Sequence, residues 1–182
     1  MANQEKYQRY VDLISSHKSD IFFESGSYGG DGIRGALEVG FKEIHSVEIF
    51  DKRYKQCHKI FRKQKNVHLY HGDSATIMLS VLKQIPPETS ITFWLDAHYS
   101  GKGTGMYNKE CSPLRRELES IRDANRPSHD TILIDDARKL HTFGYSPPFD
   151  DLRADLSKIN PNFKIHIAGE IGDFVRCVPS PD

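Results

Sequence analysis

Two acidic endings to apolar runs carry the first chemical signal. In "SITFWLDAHYSG" (90–101) a β-type run passes straight into Asp96, Ala97 and His98. In "TILIDDAR" (131–138) another ends in the adjacent pair Asp135 and Asp136. If these runs are neighbouring strands, three carboxylates converge above one sheet. Partly desolvated charges of one sign then repel at a cost of several kcal/mol each. A hard cation with oxygen ligands removes that cost, Mg2+ first and Mn2+ as the alternative. Asp96, Asp135 and Asp136 are therefore the candidate metal ligands. His98 lies on the same side of an extended chain as Asp96, because strand side chains alternate. Its imidazole, with an ordinary pKa of ~6.5, suits either a general base or a fourth ligand. The plainer readings are a capping aspartate in the pair and a hydrogen-bonded structural histidine.

The other strand ends are acidic or glycine-rich too. "DIFFES" (20–25) runs into "GSYGGDG", placing Glu24, Gly26, Ser27, Tyr28 and Gly30 at one turn. Glycines there let backbone approach a ligand and open a helix N-terminus. The spacing is not G-x-G-x-x-G, and no G-x-x-x-x-G-K-[ST] occurs, so the dinucleotide and P-loop patterns both fail. The next strand ends at Glu48, where an acid holds ribose hydroxyls in nucleotide-binding sheets. A loop that opens with a carboxylate suits a cationic, adenosine-bearing ligand better than a polyphosphate.

The elements that must position these groups alternate. A helix is predicted over 4–16, a strand over 20–25, a helix over 33–41 and a strand over 43–50. The basic stretch "KRYKQCHKIFRKQK" (52–65) reads as a helix with a solvated face. A strand over 66–75 ends at Gly72 and Asp73, and a helix over 76–85 is closed by Pro86 and Pro87. After the strand at 90–95 come a loop through Gly101, Gly103 and Gly105, a helix over 112–124 and the strand from 131. A helix over 150–160 and two β-runs, 163–171 and 174–178, complete the chain. The Gly172-Asp173 pair between those runs predicts a hairpin. The expectation is one α/β domain over 1–182: a Rossmann-like, doubly wound, seven-stranded sheet, mainly parallel, with a C-terminal antiparallel hairpin and helices on both faces.

"ESGSYGG", the acid in "SVEIF" and "HGDSA" resemble the cofactor motifs of class I S-adenosylmethionine-dependent methyltransferases. The resemblance spans nearly the whole chain. It implies that Glu24, Gly26, Ser27, Tyr28 and Gly30 form the loop facing the methionine part of S-adenosylmethionine. Glu48 would bind the ribose, Asp73 and Ser74 would lie near the adenine, and Asp96 would border the cofactor. The acidic strand ends are similar to those of metal-dependent sugar O-methyltransferases, which carry L-D-x-D and a later I-D-D pair. Here His98 stands where the second aspartate of L-D-x-D would fall. The resemblance implies an O-methyltransferase acting on a sugar or glycan hydroxyl, with Asp96 and the pair on metal and His98 as base or further ligand. The alternatives are a catechol-like acceptor and a non-catalytic cofactor-binding module.

Charge and composition narrow the partners. Lys and Arg balance Asp and Glu at a formal net charge of zero, which speaks against nucleic acid as the main partner. Cys57, Cys111 and Cys177 are widely spaced and odd in number, giving neither a disulfide framework nor a zinc pattern. No signal peptide or membrane span is visible, so a cytoplasmic protein without a membrane partner is expected. Tyr99, Arg138 and His141 are candidate acceptor contacts, with Tyr107, Glu110 and Tyr145 on the same loops.

Overall fold

The computed structural model describes residues 2–101, 103–108, 111–126, 129–136, 149–168 and 174–180. The elements are α1 (Ala2–Ser16), β1 (Ile21–Ser25), α2 (Asp31–Val39), β2 (Glu43–Glu48), α3 (Asp51–Phe61), β3 (Val67–His71) and α4 (Ser74–Leu82). They continue with β4 (Ile91–Leu95), α5 (Leu114–Asp123), β5 (Thr131–Ile134), α6 (Phe149–Ile159), β6 (Phe163–Ala168) and β7 (Phe174–Pro179). One seven-stranded sheet has the order β3-β2-β1-β4-β5-β7-β6. Strands β1 to β5 pair in parallel, while β7 runs antiparallel to both β5 and β6. This is the Rossmann-like, doubly wound, mainly parallel sheet with a C-terminal antiparallel hairpin that the sequence pattern predicts.

Strand alternation splits the core into two layers. Ile21 and Phe23 of β1, Phe93 and Leu95 of β4, and Ile132 and Ile134 of β5 pack with Met78, Leu118 and Leu156 of α4, α5 and α6. The intervening residues Phe22, Trp94 and Leu133 pack on the other face with Ile14, Ile33, Cys57 and Phe61 of α1, α2 and α3. Central strands buried on both faces explain the unbroken apolar runs in the sequence. The three cysteines are free thiols. Among the described residues, no helix is long and apolar enough to cross a membrane.

Several boundaries shift from the sequence expectation, each for a local reason. Helix α2 begins at Asp31 because Gly30, at φ 83°, turns the chain into it. It ends at Gly40, φ 79°, whose N–H donates to the carbonyls of Ala36 and Leu37. Strand β3 stops at His71, and α4 starts early because the Asp73 carboxylate caps it, accepting the Thr76 N–H. The hairpin pairing is present, but its Gly172-Asp173 turn lies outside the described residues.

The order of strands reverses between β1 and β4. A ligand crevice is therefore expected beyond their carboxyl ends, and the chemistry-bearing residues collect there.

Candidate active site

The loop after β1 is laid against the end of β4. A Cβ added at Gly26, φ 88°, would stand 3.0 Å from the Asp96 carbonyl oxygen, so glycine permits this approach. The Gly26 N–H donates to the Val47 carbonyl at 2.9 Å, tying the loop to β2. Glu48 ends β2 and is 6% exposed. Its Oε2 accepts the Tyr28 N–H and its Oε1 the Phe50 N–H, both at 2.8 Å. Two backbone amides thus fix the carboxylate, and each oxygen keeps a lone pair for a ligand hydroxyl.

Below this loop is a buried polar chain. Ser46 donates to Glu24 Oε2 at 2.5 Å, and the Ser27 and Ser46 hydroxyls are 2.6 Å apart. Burial pushes the Glu24 carboxyl up to about 8, against the opposing Ser46 hydrogen bond and with help from the charges of Asp96 and Glu48. A Cβ at Gly32 would lie 1.5 Å from Glu24 Oε1, and one at Gly30 would lie 2.6 Å from the Phe61 ring. Glu24, Ser27 and Gly30 therefore sit under the loop and shape it, whereas Gly26, Tyr28, Glu48, Asp73, Ser74 and Asp96 line the cavity.

That cavity has a volume of about 290 Å³, close to the lower end for small-molecule sites. At one end Asp73 is gripped by Arg116, with Nη1–Oδ2 at 2.9 Å and Nη2–Oδ1 at 2.8 Å. Burial alone would raise the Asp73 pKa, but hydrogen bonds from Arg116 and Thr76 bring it below the usual value. Ser74 donates to the buried Glu117, which burial lifts to about 7. The segment after β4 roofs the same end. Tyr99 N–H meets the Cys111 carbonyl at 2.7 Å, and Gly105 packs so closely on Ile49 that a Cβ would come within 2.6 Å of Cγ2. Sequence reasoning missed Arg116 and Glu117, because both fall within an amphipathic helix.

At the other end, Asp96, His98 and Asp136 each offer a ligand atom within 4.8 Å of the others. His98 Nδ1 lies 3.2 Å from Asp96 Oδ1, and Nε2 lies 2.9 Å from Asp136 Oδ2. Asp136 reaches inward because its backbone takes the left-handed conformation, φ 54°, which aspartate tolerates better than most residues. The expected third carboxylate, Asp135, is not in this group. Consecutive residues point apart, and Asp135 senses Lys6 of α1 and in turn raises the Tyr10 pKa. Burial first, then the Asp96 charge, pushes Asp135 up to about 7. Burial would lower the His98 pKa, but hydrogen bonds to Asp136 and Asp96 win and lift it to about 9. The imidazole thus stands between the two carboxylates as a cation. Two carboxylate oxygens and one imidazole nitrogen also fit a divalent ion that takes over this charge compensation, with the nitrogen favouring Mn2+ over Mg2+. Tyr99 lines the cavity, whereas Arg138, His141, Tyr145 and Glu110 lie outside the described residues.

Solved structures with this architecture include an S-adenosylhomocysteine-bound methyltransferase, PaMTH1, from Podospora anserina. It has 16% identity, a TM-score of 0.65, and a match over 97% of this chain and 78% of that one. An O-methyltransferase from Bacillus cereus in complex with S-adenosylhomocysteine is 12% identical with a TM-score of 0.65, over 97% and 81% of the two chains. The O-methyltransferase TomG from Streptomyces achromogenes, in complex with S-adenosylmethionine, is 11% identical with a TM-score of 0.60, over 97% and 80%. No family model and no curated protein matches the chain. At these identities the likeness establishes the fold.

Proposed function

We propose that the protein is an S-adenosylmethionine-dependent O-methyltransferase that acts with a divalent metal on a sugar or glycan hydroxyl. The observation that carries the reading is Glu48, whose carboxylate is fixed by two amides beside a glycine loop at the strand-order reversal. Ribose hydroxyls would donate to its two oxygens, and the loop backbone at Gly26 would lie beside the methionine part. Asp73 and Ser74, with Arg116, would border the adenine.

The acceptor half follows from the acidic group. A metal held by Asp96 and Asp136 would polarise an acceptor hydroxyl and lower its pKa, leaving the His98 imidazole to act as base rather than as a third ligand. His98 accepts a proton only in its neutral form, so the pair of carboxylates that now favours imidazolium must be otherwise compensated before it acts as base. The chain's own contribution is placement: the methyl donor is already reactive, and holding it in line with the hydroxyl supplies much of the rate. Adjacent hydroxyls suit such a site, and the acidic lining disfavours anionic acceptors. A catechol-like acceptor is the second reading, supported by Tyr99, which follows His98 in the chain and lines the cavity.

Calorimetric titration with S-adenosylhomocysteine, in Mn2+ and again in EDTA, tests the core of this reading. Binding in both buffers supports a cofactor site separable from the metal. Absence of binding in both removes the methyltransferase assignment.

A further inference from the structure

We propose that Arg53 is a positioning residue of the cavity, joining the glycine loop to the segment that roofs it. The inference rests on the reading of the cavity as a nucleoside-cofactor site. Tyr28 occupies the left-handed region at φ 42°, which costs a bulky L-residue about 1–3 kcal/mol. That conformation aims its N–H at Glu48, and the residue is 53% exposed at the cavity mouth. The Arg53 guanidinium carbon lies 4.0 Å from the centre of this ring. Arg53 Nε also donates to the Gly103 carbonyl at 3.4 Å, and Nη1 donates to Gln56 Oε1 at 3.3 Å on its own helix. One planar group therefore spans α3, the glycine loop and the roof.

The roof is an organised turn. Ser100 N–H donates to Thr104 Oγ1 at 3.0 Å, and Thr104 N–H to the Gly101 carbonyl at 3.2 Å. Its two flanks each meet an arginine. Arg53 holds Gly103 on one side, and the Arg116 guanidinium lies 5.1 Å from the Tyr107 ring centre on the other. Between them Gly105 rests on Ile49, the residue after Glu48. The roof thus comes down beside the carboxylate assigned to the ribose. A nucleoside bound at Glu48 would lie beside this roof, so loosening the roof by removing Arg53 is expected to raise the dissociation rate.

The test is the dissociation rate of S-adenosylhomocysteine, measured by displacement in a stopped-flow instrument. Arg53→Ala is expected to speed it roughly tenfold, with the ligand-free melting temperature within about two degrees of the parent. Arg53→Lys keeps the charge without the planar face and should behave like the alanine variant. Gly105→Ala forces the roof off Ile49 and should also speed release. An unchanged rate in Arg53→Ala or Gly105→Ala overturns the proposal, as does full rescue by lysine. Amide exchange of residues 103–107 in the ligand-free protein gives a second readout. It should quicken in Arg53→Ala, and unchanged exchange refutes the clamp. If the parent protein fails to bind S-adenosylhomocysteine, the cofactor reading falls, and the exchange result still judges the clamp separately.

Discussion

Arg116 grips both carboxylate oxygens of Asp73, and the same carboxylate caps α4 through Thr76. The pair joins α5 to the turn after β3 at the end of the cavity. Asp73 has a lowered folded pKa, so its contribution to stability is present above the unfolded value and is lost as pH falls through the folded one. Replacing Arg116 by Met should cost about 1–3 kcal/mol at neutral pH, because it strands a nearly buried carboxylate. The difference from the parent should shrink on acidification, as denaturant titrations at several pH values will show.

Glu48 offers a sharper test of ligand binding. In Glu48→Gln one amide N–H must face the side-chain NH2, so both orientation and acceptor capacity suffer. S-adenosylhomocysteine affinity should fall roughly 10- to 100-fold, in line with loss of hydrogen bonds to a charged group. An analogue lacking the ribose hydroxyls should bind parent and variant alike. Equal loss for both ligands would remove the ribose role.

Glu24 titrates in the opposite sense to Asp73. Its folded pKa is raised from 4.5 to about 8 by burial. Its stabilising contribution is thus complete below 4.5 and declines as pH rises towards 8, by at most ~1.4 kcal/mol per pH unit. Glu24→Gln should therefore gain stability relative to the parent across this window. Parallel melting curves from pH 5 to 8 check the slope.

Gly32 and Glu24 should show strong coupling. Gly32→Ala puts a methyl where Glu24 Oε1 now lies and should destabilise by about 2–4 kcal/mol. In a Glu24→Ala background the same change should cost much less. A double-mutant cycle in denaturant measures the difference, and additivity would contradict the geometry.

His98→Gln should abolish turnover while leaving S-adenosylhomocysteine affinity within about twofold, because the residue lies at the acceptor end. Asp136→Asn should weaken Mn2+ binding, read by electron paramagnetic resonance without any acceptor present. Undiminished Mn2+ binding would move the ion elsewhere.

Much of this was legible in the sequence. Two-faced burial gives unbroken apolar strands, and glycine or acid marks their ends, so the parallel order and the glycine loop could be read from local pattern. The hairpin pairing was readable, whereas insertion of β7 between β5 and β6 is a tertiary fact. At the site, Glu48 and Asp96 follow from strand ends. The division of labour between Asp135 and Asp136 does not, since it depends on a left-handed backbone at Asp136. Arg116 and Glu117 were hidden because their partners, Asp73 and Ser74, lie at the start of the neighbouring helix α4, 43 residues away in the chain.

The placement of β7 also bears on how the molecule is made. Strand β5, whose end carries Asp135 and Asp136, pairs with β4 on one side and with β7 on the other. During synthesis residues 131–134 therefore emerge well before their second partner, 174–179, and present a bare strand edge in the interval. The Glu48 end of the cavity, built largely on β1, β2 and β3, has its neighbours earlier. The Glu48 end of the cavity can thus complete its strand pairing before the Asp136 end does.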